Sequence, residues 1–133
     1  MADYHNSFAT FIPCDDEQDA QKLVAAIEAA YQEDFNDPDA NYVPAFEYCQ
    51  VDRQGDTWGV FLADENEGMN DEVAGAIQCH LAAKRSDQKV VISGSFGCSK
   101  LRPDEFGGWA VGITRTQIEW VDAGQYMHDF LNR

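Results

Sequence analysis

Behind Asp15 and Asp16, the apolar residues Ala20, Leu23, Val24, Ile27, Ala30 and Tyr31 recur at three- and four-residue intervals. That spacing describes one face of an α-helix and no strand, and an aspartate just ahead of it supplies an N-cap. On either side of this helix the apolar period shortens. Residues 7–12 form an apolar run stopped by Pro13, so a strand precedes the helix. Residues 45–51 and 57–63 flank Asp52-Arg53-Gln54-Gly55-Asp56, the composition of a hairpin with a short turn. Asn70 caps a second helix with Val73, Ala76, Ile77, His80 and Leu81 as its inner stripe, and Lys84 and Arg85 suit the negative end of its dipole. Residues 90–95 and 109–114 read as further strands. Tyr126, Met127, Phe130 and Leu131 read as a closing helix after Asp122, interrupted only weakly by Gly124.

The resulting order, β-α-β-β-α-β-β-α, belongs to the α+β class. It begins as a split βαβ, ferredoxin-like unit and adds one strand and a C-terminal helix. The 133 residues, 44% hydrophobic and 12% aromatic, supply one core, so a single acidic globular domain over residues 1–133 is expected. Trp58, Trp109 and Trp120 are expected in that core. The N-terminus has neither a basic start nor an apolar stretch, and no run approaches the roughly 20 apolar residues of a membrane span. A cytoplasmic protein without membrane contact is therefore expected. Cys14, Cys49, Cys79 and Cys98 form no C-x-x-C pair, which favours buried free thiols over a disulfide scaffold or a zinc site.

Charge is distributed very unevenly. Residues 1–72 hold 18 of the 24 carboxylates and only two cations, Lys22 and Arg53, a net −16. Residues 73–133 hold six acids and seven bases, a net +1. A field of this sign repels nucleic acid and anionic membranes and speeds encounter with basic partners.

Some of these acids have a local explanation. Asp15, Asp16, Glu17 and Asp19 stand in a first helical turn, as do Asp71 and Glu72, where the dipole stabilises each carboxylate by about 0.3–1 kcal/mol. Glu33, Asp34, Asp37 and Asp39 have none, because they crowd the C-terminal end of the first helix, where the same dipole opposes them. In the expected topology the connection after the first helix and the one before the second lie at the same end of the sheet. Glu33, Asp34, Asp37 and Asp39 would then meet Asp64, Glu65, Glu67, Asp71 and Glu72 in one acidic, partner-binding rim.

Cation and enzyme chemistry find incomplete patterns. Asp37-x-Asp39-x-Asn41 and Asp64-x-Asn66 resemble the start of a calcium loop, but Tyr42 stands where the sharp turn needs Gly, and Tyr48 and Gly75 stand where the bidentate Glu belongs. Residues 94–108 combine glycines, hydroxyls and two cations. Yet Cys98 and Ser99 separate Gly97 from Lys100, and Pro103 and Gly107-Gly108 lead into a strand, so no phosphate loop forms. Cys98, Ser99, Lys100 and Arg102 remain an alternative ligand loop, with His80 or His128 as a base for a Cys98 nucleophile. The simpler expectation is an ordered connection whose glycines allow positive φ, whose Phe96 and Phe106 pack on the sheet, and whose Lys100 and Arg102 answer nearby carboxylates. His80, on an apolar helix face, is expected as a satisfied core residue. No catalytic residue, metal site or cofactor follows from these patterns.

The run Cys98-Ser99-Lys100-x-Arg102-x-x-Glu105-Phe106-Gly107-Gly108, then Ala110-Val111, then a Thr shortly before Ile118-x-Trp120, resembles the end of an uncharacterised family of small acidic proteins often found on phages and plasmids. The resemblance covers about residues 96–131 and implies a mobile-element setting. By class analogy it implies antirestriction or anti-CRISPR proteins, some of which resemble nucleic acid electrostatically. The expected function is a non-enzymatic inhibitor whose acidic surface binds a basic nucleic-acid-binding protein, a nuclease or CRISPR effector complex, without itself binding nucleic acid. An immunity protein for a basic toxin, a small-ligand or enzyme domain using residues 94–108, and acidity as an adaptation to high salt stay open beside it.

Overall fold

Alternation along the strands decides which side chains are buried and therefore where the helices lie. The computed structural model describes residues 4–33, 46–65, 68–101 and 106–132. Its elements are β1 (Tyr4–Pro13), α1 (Glu17–Glu33), β2 (Tyr48–Gln54), β3 (Thr57–Asp64), α2 (Asp71–Ala83), β4 (Val90–Cys98), β5 (Gly107–Ile113), β6 (Ile118–Asp122) and α3 (Ala123–Leu131). The strands form one antiparallel sheet in the order β2-β3-β1-β4-β5-β6. Its first four positions are the split βαβ arrangement of a ferredoxin-like α+β fold, as expected, and β5 and β6 extend it.

Phe8 and Ile12, Val60 and Leu62, Val90 and Ile92, and Val111 and Ile113 occupy the same side of neighbouring strands. All are buried in one cluster with Leu23, Ile27 and Tyr31 of α1 and Val73, Ala74, Ile77 and Leu81 of α2. Each Val, Leu, Ile or Phe among them contributes about 1.5–3 kcal/mol on burial, which outweighs the propensity differences of single residues. Asn70 caps α2, its Oδ1 accepting from the Val73 N–H at 2.8 Å, and Asp122 caps α3 by accepting from the Gln125 N–H at 2.9 Å. The hairpin between β2 and β3 turns on Gly55, whose φ of 61° is the left-handed value a two-residue turn assigns to glycine.

Two features differ from expectation. The chain after Thr114 turns back as β6, so the core gains two strands rather than one. β6 is an edge strand whose residues are exposed apart from half-buried Ile118, and Trp120, expected in the core, is 39% exposed. It therefore lacks the buried alternation by which strands are recognised. The glycine-rich stretch is also largely strand, with β4 running on to Cys98 and β5 starting at Gly107. Its described glycines do not adopt positive φ. Gly94 faces Trp109 and Gly107 faces Phe96 across the ladder, and each leaves room for the ring opposite. No helix among the described residues is long and apolar enough to cross a membrane.

Candidate functional site

The sheet order converts a division of the sequence into a division of the molecule. β2, β3 and β1 lie side by side and belong, with α1, to residues 1–72, whereas β4, β5, β6 and α3 belong to residues 73–133. The described strands and helix of the acidic half-chain thus lie on one side of the sheet, although β1 carries no carboxylate, β2 only Asp52 and β3 only the buried Asp64. α1 packs over β2 and β3, and α2 lies beside α1 and reaches β5 and β6.

Chain direction sets which acids share an end. β1 and β3 run antiparallel, with Phe8 opposite Asp64 and Pro13 opposite Gly59. The end of α1 at Glu33, the end of β3 at Asp64 and the start of α2 at Asp71 therefore fall at the same sheet end. Glu65, Asp71 and Glu72 are exposed there. Asp64 differs from the other expected rim residues: it is 6% exposed, because it shares the inward side of β3 with Val60 and Leu62. Its Oδ2 accepts the Glu47 N–H at 3.0 Å, which pins the approach to β2 against the end of β3. Asp34, Asp37, Asp39 and Glu67 lie outside the described residues. Exposed Glu47 joins this end without having been expected there; its position between an apolar Phe46 and a strand gave it no separate signal.

A cavity of about 460 Å³ opens at this end, lined by Ser7, Phe8, Ala9, Glu47, Tyr48, Phe61, Ala63, Asp64 and Glu65. Ala9 and Ala63 are directly opposed in the β1–β3 ladder, and the Tyr48 and Phe61 rings lie 5.8 Å apart. These four side chains point to the sheet face opposite α1 and α2, since their neighbours in sequence face the core. The Ser7 hydroxyl donates to the Glu65 carbonyl at 3.0 Å and holds the rim to β1.

The other end of the sheet carries a buried charge network. Asp16 Oδ1 accepts the Asp19 N–H at 2.8 Å, and Asp19 Oδ2 accepts the Asp15 N–H at 2.9 Å, so the two carboxylates cap α1 together. Asp19, only 8% exposed, also meets His80 Nε2 at 2.8 Å and Lys84 Nζ at 2.5 Å, while Lys84 reaches Asp15 Oδ2 at 3.1 Å. Burial would raise the Asp19 carboxyl, but the hydrogen bonds from Lys84, the Asp15 backbone and His80 outweigh it and hold it below the usual range. Burial would likewise lower Lys84, and its bonds to Asp19 and Asp15 raise it instead. His80 is thus a satisfied residue on α2, as its apolar surroundings implied. The pairing of Asp19 with Lys84 was not legible, because 65 residues separate them.

The alternative ligand loop is described only in part. Cys98 is buried at the end of β4 opposite Tyr4, while Ser99 and Lys100 are exposed beyond it. Arg102 lies outside the described residues. Among the described residues no carboxylate lies within ion-pair distance of Lys100, so the expected answering charge is not found there. Burial, reinforced by the Asp19 charge, pushes the Cys14 thiol up to about 11, and burial with Glu28 nearby pushes Cys49 up to about 12. Cys79, expected buried, is exposed on α2. No group of three or more His, Cys, Asp or Glu able to hold a metal ion occurs among the described residues.

No protein-family model, curated protein or solved structure matches the chain.

Proposed function

We propose that the chain is a non-enzymatic inhibitor that binds a basic nucleic-acid-binding protein of a host defence system, of nuclease or CRISPR-effector type, through its acidic half. The observation that carries this reading is the coincidence of the charge boundary in the sequence with the middle of the sheet. Interspersed signs keep a small domain soluble at lower cost in self-repulsion, so solubility alone gives no reason to confine the acids to the half of the chain that carries β1, α1, β2 and β3.

The physics of the target supports the same reading. Duplex DNA presents one negative charge per roughly 1.7 Å of axis, so Lys/Arg grooves built for it also attract a dense carboxylate surface. Glu65, Asp71 and Glu72 are exposed at one end and available for such contacts. Binding of this kind weakens steeply as salt rises.

The test is affinity capture from host lysate at low and high salt, followed by a DNA-binding assay on the captured protein. The wild-type chain should compete with DNA for that protein, and the combined variant Glu65→Lys, Asp71→Lys, Glu72→Lys should not, at unchanged circular dichroism. Undiminished competition by the variant, or capture indifferent to salt, would overturn the proposal.

A further inference from the structure

A uniformly acidic surface attracts cations without selecting among them, but the acidic end also contains the cavity lined by Tyr48 and Phe61, whose rings touch along one side of it. Its Ala9 and Ala63 floor is apolar, two aromatic rings wall it, and the carboxylates of Glu47 and Glu65 belong to exposed residues at its edge. An apolar ligand would make no use of those carboxylates, and an anion would be repelled by them. The complement is a cation with a flat, weakly hydrated body. A guanidinium stacks on aromatic faces and bonds carboxylates through a planar fork, whereas an ammonium is a strongly hydrated point charge. The volume, in a cleft open to solvent, is enough for a side chain with part of the backbone that carries it.

We infer that this cavity receives an arginine side chain of the basic partner and serves as the anchor of the acidic surface. The inference rests on the proposed acidic-surface function and adds to it an apolar, aromatic pocket of the kind that concentrates binding energy in interfaces. Ser7 bonded to Glu65, and Glu47 bonded through its backbone to Asp64, hold the rim before any partner arrives, which limits the ordering cost of binding.

The experiment is titration of the full chain with nona-arginine and nona-lysine peptides at low salt, read by fluorescence anisotropy. Ala9→Trp fills the cavity from an exposed position, and Tyr48→Ser removes one wall at a residue that is 47% exposed. Wild-type protein should prefer nona-arginine, and either variant should lose roughly tenfold affinity for it and bind both peptides alike, a change of about 1.4 kcal/mol. If both variants bind nona-arginine as the wild type does while Glu65→Lys, Asp71→Lys, Glu72→Lys weakens it, the anchor is wrong and the acidic-surface reading stands. If the wild type binds neither peptide, both fall.

Discussion

Lys84 Nζ lies 2.5 Å from Asp19 Oδ2, and this contact fastens the C-cap of α2 to the first turn of α1 across 65 residues of sequence. The two helices that cover the core are thereby held at one end by an ion pair with little access to water. Removing Asp19 leaves Lys84 with only the exposed Asp15 as a partner among the described residues and takes from His80 the carboxylate it meets. Asp19→Ala should therefore destabilise the fold by about 3 kcal/mol, while Asp87→Ala, whose partner Arg115 is exposed, should cost less than about 1 kcal/mol. Urea unfolding of the two variants compares them directly; equal losses would refute the buried-pair account.

The same network sets a pH dependence. A carboxyl held below its ordinary value in the folded state stabilises the fold at every pH above its unfolded value, and that contribution disappears as pH falls through the folded value. For Asp19 the loss begins near the usual aspartate value of about 4 and continues below it. Acidification simultaneously relieves repulsion within a chain of net charge −15, which opposes the loss. The informative quantity is therefore the stability difference between wild type and Asp19→Asn, which should shrink from pH 6 to pH 3. A constant difference would show that Asp19 does not titrate against the fold.

Glycine positions in β4 and β5 should respond very differently to a methyl group. A Cβ at Gly94 would meet the Trp109 ring and, at 2.7 Å, the Ser7 carbonyl, which as backbone cannot move aside. At Gly107 the nearest atoms it would meet belong to the Phe96 ring, and at Gly112 it would find open space. Gly94→Ala should cost about 1–3 kcal/mol, Gly107→Ala less, and Gly112→Ala nothing or a slight gain. Thermal melts of the three variants rank them.

Thiol chemistry should discriminate among the four cysteines. Cys79 is exposed, Cys98 is buried, and Cys14 and Cys49 are protonated far above neutral pH. Brief treatment with iodoacetamide at pH 8 should label Cys79 first, with the others following only in denaturant, as peptide mass spectrometry can follow. Rapid labelling of Cys98 would revive the reactive-loop alternative.

The elements with strong periodicity were legible in the amino-acid order. α1, α2 and the β2–β3 hairpin announce themselves through apolar spacing and caps, because burial and end-capping act locally on residues three or four apart. β6 was not legible, since an exposed edge strand is held by ladder hydrogen bonds to β5 rather than by a buried stripe. The cavity was equally hidden. Its walls, Tyr48 and Phe61, look like ordinary strand aromatics until β2 and β3 pair and bring them to one face beside Ala9 of β1.

By itself, the amino-acid order determined the α+β class and the division of charge at residue 72, because composition and periodicity are properties of neighbours along the chain. The tertiary structure decided that β2, β3 and β1 stand together. It also withdrew Asp64 from the surface, joined Asp19 to Lys84, and set a cavity beside Glu47 and Glu65. Each of these depends on which strand lies beside which and on which face a side chain falls. A shift of one residue in register reverses every face, so only the assembled sheet settles them.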